Sequence, residues 1–106
     1  MTVLSYTAVT QSGHTYDIEF PLHPLTRSSA GVGDVVTALL DAITREAHAG
    51  KGLSDGDLIQ ALTMALALRV QMSGGLPAQM RGLICELYDS AHAAVQAAAS
   101  MPAGHA

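Results

Sequence analysis

The first twenty residues alternate between apolar and polar side chains, as expected of β-strands that bury one face. We predict a hairpin over residues 3–20, with a three-residue loop at 11–13 in which Gly13 takes the left-handed conformation of a bulge. This loop length pairs Leu4 with Phe20 and separates the side chains cleanly into two faces. A two-residue loop would mix the two sets, because a one-residue slip moves side chains to the opposite face.

The two predicted faces of the hairpin differ in polarity. The inner face is apolar and aromatic and consists of Leu4, Tyr6, Ala8, Tyr16, Ile18 and Phe20. The outer face is largely polar and consists of Val3, Ser5, Thr7, Val9, Thr15, Asp17 and Glu19. Pro21 and Pro24 then end the second strand and extend the connector, because proline removes a backbone donor and restricts the residue before it.

Three later segments repeat apolar residues at helical spacing, which predicts helices at about 29–49, 54–73 and 77–100. The first helix has one apolar stripe, formed by Val32, Val35, Val36, Leu39, Leu40, Ile43 and Ala47. The third has another, formed by Met80, Leu83, Ile84, Leu87, Ala91, Ala94, Val95 and Ala98. Glycines separate the helices: Gly50 suits a left-handed cap, and Pro77 suits the first turn of the third helix.

The second predicted helix has the clearest start signal in the chain. Ser54 and Asp57 have the spacing of a capping box. Leu53 and Leu58 are placed to form a hydrophobic staple across it. Asp55 and Asp57 lie where negative charge favours the positive end of the helix dipole. We therefore interpret these carboxylates as helix caps and not as catalytic acids.

The same helix is apolar almost all round, which is typical of a helix that is buried on several sides. In so short a chain, we expect part of this surface, including Leu66 and Val70, to meet a second subunit. Arg69 lies on the same helix, where an unpaired charge would be costly. Three roles remain open for it: it reaches solvent, it pairs with Glu86 or Asp89, or it crosses a dimer interface.

The element order predicts an α+β fold, ββααα, with a hairpin packed on three helices. We expect one domain over residues 1–100 and a disordered tail at 101–106. A lone two-stranded ribbon is marginally stable and has exposed edges. Two hairpins paired across a two-fold axis would form a four-stranded sheet, so we expect a homodimer.

Composition narrows the classes of partner and compartment. The five basic residues are scattered and the net charge is −4 at pH 7, which opposes binding to the phosphates of nucleic acid. The single cysteine, Cys85, excludes an internal disulfide and suits a reducing compartment. No apolar run approaches the roughly 20 residues of a membrane span, and the N-terminus has no signal-peptide pattern. We expect a cytoplasmic protein with no membrane partner.

One short segment suggests chemistry. Gly31-Val32-Gly33-Asp34 leads into an apolar helix and resembles the Gly-x-Gly-Asp segment of ribokinase-like and pyridoxal-kinase-like sugar and vitamin kinases. In that family the segment opens a helix whose amides stabilise the transferred phosphoryl group, and its aspartate is the catalytic base. The resemblance implies that Gly31 and Gly33 line an anion hole and that Asp34 is the base.

The same segment also fits a simple helix start. Ser28 or Ser29 can cap the helix, and Asp34 complements its dipole. Val32 already belongs to the apolar stripe, which indicates that the helix begins before Gly33. We favour this structural interpretation, and an anion- or nucleotide-binding protein that uses the two glycines and Asp34 is the alternative.

The remaining polar residues predict no metal and no cofactor. Cys85, Asp89 and His92 share a stripe of the third helix, but they supply one soft and one hard ligand with no visible fourth. The other histidines form no pair at metal-ligating spacing. The predicted function is a small non-enzymatic cytoplasmic protein that acts as a homodimeric interaction or regulatory module. Its expected partner is a second copy of itself, with another protein as a further candidate.

Overall fold

The computed structural model describes residues 3–10, 13–75 and 77–99. Its elements, in chain order, are β1 (Val3–Val9), β2 (Thr15–Pro21), α1 (Ser29–Ala47), α2 (Asp55–Ser73) and α3 (Pro77–Ala99). This order confirms the predicted α+β fold, ββααα. The helix limits differ from the predicted ones by at most two residues, which is within the usual variation of helix ends. The predicted tail at 101–106 and the loop residues Gln11 and Ser12 lie outside the described residues.

The hairpin has the predicted register. β1 and β2 pair antiparallel, with Leu4 opposite Phe20. At the turn, the Thr10 amide donates to the His14 carbonyl at 2.9 Å. Gly13 has a φ of 84°, in the left-handed region that favours glycine. The prediction of a three-residue loop with a bulge at Gly13 is therefore confirmed at every described position.

The two faces of the hairpin are segregated as predicted. On the outer face, the Ser5 hydroxyl donates to the Glu19 carboxylate at 2.9 Å. Two residue pairs further along, on the same face, the Thr7 hydroxyl donates to Asp17 Oδ1 at 2.8 Å. On the inner face, Ile18 is only 6% exposed. Side-chain hydrogen bonds therefore join the strands on the outer face, while apolar burial stabilises the inner face.

The predicted cap of α2 is confirmed. The Asp57 amide donates to Ser54 Oγ at 3.1 Å, and the Ser54 amide donates to Asp57 Oδ2 at 3.0 Å. This reciprocal capping box satisfies two backbone donors at the helix start. At the other end, Gly74 has a φ of 76° and caps α2 in the left-handed region. Gly50, beyond the end of α1, has a φ of 74°.

The chain forms two compact units. The hairpin unit comprises Met1–Gly33 and Ile84–Ala106, and the helical unit comprises Asp34–Leu83. Among their described residues, the hairpin unit holds β1, β2, the start of α1 and the later turns of α3. The helical unit holds most of α1, all of α2 and the first turns of α3. The prediction of a single domain over residues 1–100 stays a prediction.

Burial differs between the two units. The buried side chains among the described residues are Ile18 and Ala98, at 6% and 8% exposed, and both belong to the hairpin unit. In the helical unit, every residue whose side chain is described is at least partly exposed. The predicted stripe of α1 shows the effect, since Val35 is 58% exposed and Leu39 is 48% exposed. Apolar spacing identifies the helix correctly, but within the helical unit the stripe ranges from half-buried at Val36 and Ile43 to exposed at Val35 and Leu39.

Candidate functional site

The start of α1 is a capped helix N-terminus. The Gly31 amide donates to Ser28 Oγ at 2.9 Å, and the Val32 amide donates to the Ser28 carbonyl at 3.0 Å. Ser28 is therefore the capping residue, and Ser29 is the first residue of the helix. Val32 lies inside the helix, which agrees with the prediction that the helix begins before Gly33.

The two glycines of this segment differ in the room that a side chain would have. A Cβ on Gly31 would lie 2.9 Å from Ser28 Oγ and would push against the cap. A Cβ on Gly33 would lie 3.4 Å from Leu4 Cδ1, so the side chain of Leu4 packs directly over Gly33. The first glycine makes room for the cap, and the second lies in contact with β1 inside the hairpin unit with space left for a methyl group.

The backbone amides around these glycines already have acceptors. The Gly31 amide is held by Ser28 Oγ. Gly33 lies at the fifth position of α1, where a helical amide donates to the carbonyl four residues before it. The side chains of Arg27 and Asp34 are exposed. An anion site at Gly31, Gly33 and Asp34 stays a prediction, and it requires the Ser28 hydroxyl to release the Gly31 amide.

Alanine substitutions distinguish the two glycines. Gly33→Ala is expected to raise the free energy of unfolding by about 0.5–1 kcal/mol, because alanine favours a helix and Leu4 leaves room for a methyl group. Gly31→Ala is expected to gain less or to lose stability, because its methyl group displaces a cap worth roughly 0.5–2 kcal/mol. Urea unfolding of both variants measures the difference. Equal gains at both positions would contradict the role given to Ser28.

The predicted interface residues lie on the exposed surface of α2. Leu66 is 45% exposed, Val70 is half-buried and Arg69 is exposed. The ion pair found among the described residues joins Lys51 and Glu46, and it does not involve Arg69. The choice among the three roles open to Arg69 stays a prediction, because Glu86 and Asp89 belong to the hairpin unit and Arg69 to the helical unit. Its place in a dimer interface stays a prediction.

α1 and α2 line an apolar groove inside the helical unit that the sequence analysis did not identify. Its volume is about 310 Å³. Its lining residues are Leu39, Ala42, Ile43, Glu46, Leu53, Asp57, Leu58, Ala61, Leu62 and Ala65. The spacing of two alanines is the sequence feature that indicates this groove. The small side chains at 61 and 65 share one face of α2 and leave space beside α1.

The two carboxylates that line this groove already have partners. Glu46 pairs with Lys51, and the hydrogen bond and charge of that ammonium group hold the pKa of Glu46 below its usual range. Asp57 accepts the backbone amide of Ser54 in the capping box. Both carboxylates therefore have structural partners, and the other residues that line the groove are apolar.

The polar stripe of α3 does not assemble a site in the part of the chain that the structure describes. Cys85 is exposed. The ring of His92 stacks on the ring of Tyr88, with centroids 5.8 Å apart and planes inclined by 19°. Over the described ranges, no three histidine, cysteine or acidic side chains come together as metal ligands. Tyr88, one turn before His92, is a contact that the sequence analysis missed.

Two further findings bear on function. Within residues 3–10, 13–75 and 77–99, no helix is both long enough and apolar enough to cross a membrane. Comparison of the chain with models of known protein families, with curated proteins and with solved structures finds no match. Any assignment of function therefore depends on the surfaces and groups described above.

Proposed function

We propose that this protein is a non-enzymatic cytoplasmic interaction module that acts as a homodimer, with the helical unit forming the interface between two copies. One observation carries the proposal: α2 exposes large apolar side chains around its circumference. Ile59 and Leu68 are each 66% exposed, and Met72 is 75% exposed. These residues lie at different angles around the helix axis, so no single face accounts for the exposure.

An exposed surface of this kind favours association. Transfer of apolar surface out of water is favourable in proportion to its area, and monomeric proteins rarely expose apolar patches beyond a few hundred Å². α2 is well formed, since a capping box begins it and a left-handed glycine ends it. Its sequence and its caps therefore specify a helix with large apolar side chains that the helical unit leaves exposed.

A second copy can cover part of the exposed apolar surface of the helical unit. Large aliphatic side chains at least 37% exposed in the helical unit are Val35, Leu39, Leu40, Leu53, Ile59, Leu62, Met64, Leu66, Leu68 and Met72. One partner in a standard stable interface contributes roughly 800 Å² of surface, so a second copy would cover the subset of these side chains that shares one side of the unit. Two-fold symmetry lets the same surface cover itself in both copies at once.

Within this interface, Leu66 and Val70 are the apolar anchors that we assign, one helical turn apart. Arg69 lies beside them at the rim, where its aliphatic stem packs on apolar neighbours while its charge stays in water. Aliphatic anchors surrounded by a polar rim are the usual anatomy of a protein interface. The exposed thiol of Cys85 suits the reducing conditions of a cytoplasm, where it stays unoxidised.

The concentration dependence of thermal unfolding tests the proposal. A homodimer loses stability on dilution by mass action, so tenfold dilution is expected to lower the unfolding midpoint by about 3–6 °C. Circular dichroism in cells of different path length measures the midpoint over a hundredfold range of protein concentration. A midpoint that is independent of concentration, together with the mass of one chain, would contradict the proposal.

A further inference from the structure

The hairpin has two edges, and the structure distinguishes them. Among the described residues the sheet consists of β1 and β2 alone, so each strand has one neighbour. An edge strand presents outward-facing amides and carbonyls that can pair with another strand. Natural edges are protected by charged side chains and proline. Only one of the two edges of this hairpin carries that protection.

The register shows which backbone groups face outward. Thr10 and His14 form a hydrogen-bonded pair at the turn, since the Thr10 amide donates to the His14 carbonyl. Hydrogen-bonded and non-hydrogen-bonded pairs alternate along an antiparallel ladder. The non-hydrogen-bonded positions are therefore Val3, Ser5, Thr7 and Val9 on β1, opposite Pro21, Glu19, Asp17 and Thr15 on β2. At these positions the backbone groups point away from the neighbouring strand.

The edge formed by β2 opposes pairing with itself. If β2 paired with β2 of a second copy about a two-fold axis at Ile18, Asp17 of each copy would lie directly opposite Glu19 of the other. Like charges directly opposite each other destabilise a strand pair. Pro21 also lacks the amide that the end of such a ladder needs. Both features protect β2, as they do at natural sheet edges.

The edge formed by β1 has neither charge nor proline. Its outward-facing positions are two valines and two hydroxyl residues. Self-pairing about a two-fold axis at Tyr6 places Ser5 opposite Thr7 of the second copy and Val3 opposite Val9. All four outward positions then pair within one seven-residue strand, and no like charges meet.

We propose that two copies join β1 to β1 antiparallel, centred on Tyr6, so that the dimer contains a continuous four-stranded sheet. This inference rests on the proposed homodimer. The strand order is β2, β1, then β1 and β2 of the second copy. Because directly opposite residues share a face, the apolar inner faces of both hairpins form one surface, in which Leu4 lies opposite Ala8 of the second copy.

A matched pair of proline variants tests the edge. Ser5→Pro and Glu19→Pro both remove the hydrogen bond between Ser5 and Glu19, and both place proline where the amide faces outward, so the ladder inside the hairpin survives. Ser5→Pro additionally removes one intersubunit hydrogen bond at each of two symmetric positions. We expect it to raise the dimer dissociation constant by at least about tenfold, whereas Glu19→Pro leaves it within about threefold.

Sedimentation velocity over a dilution series gives the dissociation constants, and circular dichroism shows whether each variant is folded. An equal rise in both variants, or a rise with Glu19→Pro alone, would overturn the proposal. Ser5 and Glu19 lie opposite each other in the hairpin, and the backbone amides of both face outward. A general effect of proline on the hairpin therefore affects both variants alike.

A cross-linking experiment tests the register without disturbing the ladder. In a Cys85→Ser background, the double variant Val3→Cys with Val9→Cys has thiols directly opposite each other across the proposed β1–β1 pair. Their Cα atoms are expected about 5.5 Å apart, which is the spacing of a hydrogen-bonded pair. Each single variant leaves its two thiols roughly 20 Å apart, six residues along the strand. A short bis-maleimide is therefore expected to give covalent dimers with the double variant and not with either single variant.

The outcomes separate this inference from the proposed function. Covalent dimers with the double variant alone would support β1 pairing. A double variant that remains dimeric by light scattering yet gives no cross-link would overturn the β1 inference and leave the homodimer standing. Cross-links of equal yield in the single variants would also overturn it, because they require another register. Unmodified protein with the mass of one chain would overturn both.

Discussion

Replacing Leu66 by glutamate is expected to convert the protein from a dimer of about 22 kDa to a monomer of 10.9 kDa. Leu66 is 45% exposed in the single chain, so the substitution is tolerated by the fold. In the proposed dimer the same position is desolvated, and a buried carboxylate without a partner is strongly unfavourable. Two copies of the charge enter one interface, and we expect the dissociation constant to rise by at least about a hundredfold.

Gln60→Glu is the matched control for this prediction. It adds the same negative charge to an exposed position of the same helix and removes no apolar anchor. We expect Gln60→Glu to remain dimeric at concentrations where Leu66→Glu is monomeric. Light scattering at several concentrations measures both masses, and circular dichroism checks that the helices persist. Two variants of equal mass would show that Leu66 is not an interface anchor.

Replacing Ile18 by alanine is expected to have the largest effect on the hairpin unit. Ile18 is 6% exposed at the centre of the inner face, and truncation of a buried isoleucine to alanine typically costs about 2–5 kcal/mol. The matched control is Leu25→Ala in the connector, because Leu25 is 80% exposed and its truncation should change stability by less than about 0.5 kcal/mol. Urea unfolding at one fixed protein concentration measures both.

A loss below about 1 kcal/mol for Ile18→Ala would contradict the account of the hairpin core. The protein concentration is held fixed in this experiment because the stability of a homodimer depends on it. Near-ultraviolet circular dichroism of the tyrosines gives a second readout, since Tyr16 flanks Ile18 on the same face of β2.

Local turn chemistry explains why the hairpin could be predicted from the sequence. Gly13 adopts a left-handed φ without strain because glycine has no side chain. Its position in the chain sets the pairing of Leu4 with Phe20. Ser54 and Asp57 define the start of α2 in the same local way. These signals act over three to five residues, so no knowledge of the rest of the fold is needed to read them.

The start of α1 shows where local signals are insufficient. Sequence alone left Ser28 and Ser29 as alternative caps and left the two glycines with a phosphate-binding interpretation. In the structure, the Gly31 amide donates to the capping Ser28 hydroxyl, and Leu4 of β1 lies over Gly33. The contact with Leu4 joins residues 29 positions apart, and no local pattern reports such a contact.

Burial is the other property that apolar spacing did not determine. The pattern identifies Val35 and Leu39 as one stripe of a helix, and that helix forms. The same pattern does not state what covers the stripe, because covering depends on packing partners within or beyond the chain. For α2 the sequence predicts incomplete covering, since a helix that is apolar on every side exceeds what two neighbouring helices can bury, and the second subunit expected there stays a prediction.

The mass of the unmodified protein in solution tests the central claim most directly. Light scattering coupled to size-exclusion chromatography, at protein concentrations from one to one hundred micromolar, gives the mass without reference to shape. The account predicts about 22 kDa, twice the 10.9 kDa of one chain. A mass of 10.9 kDa over the whole range would contradict it.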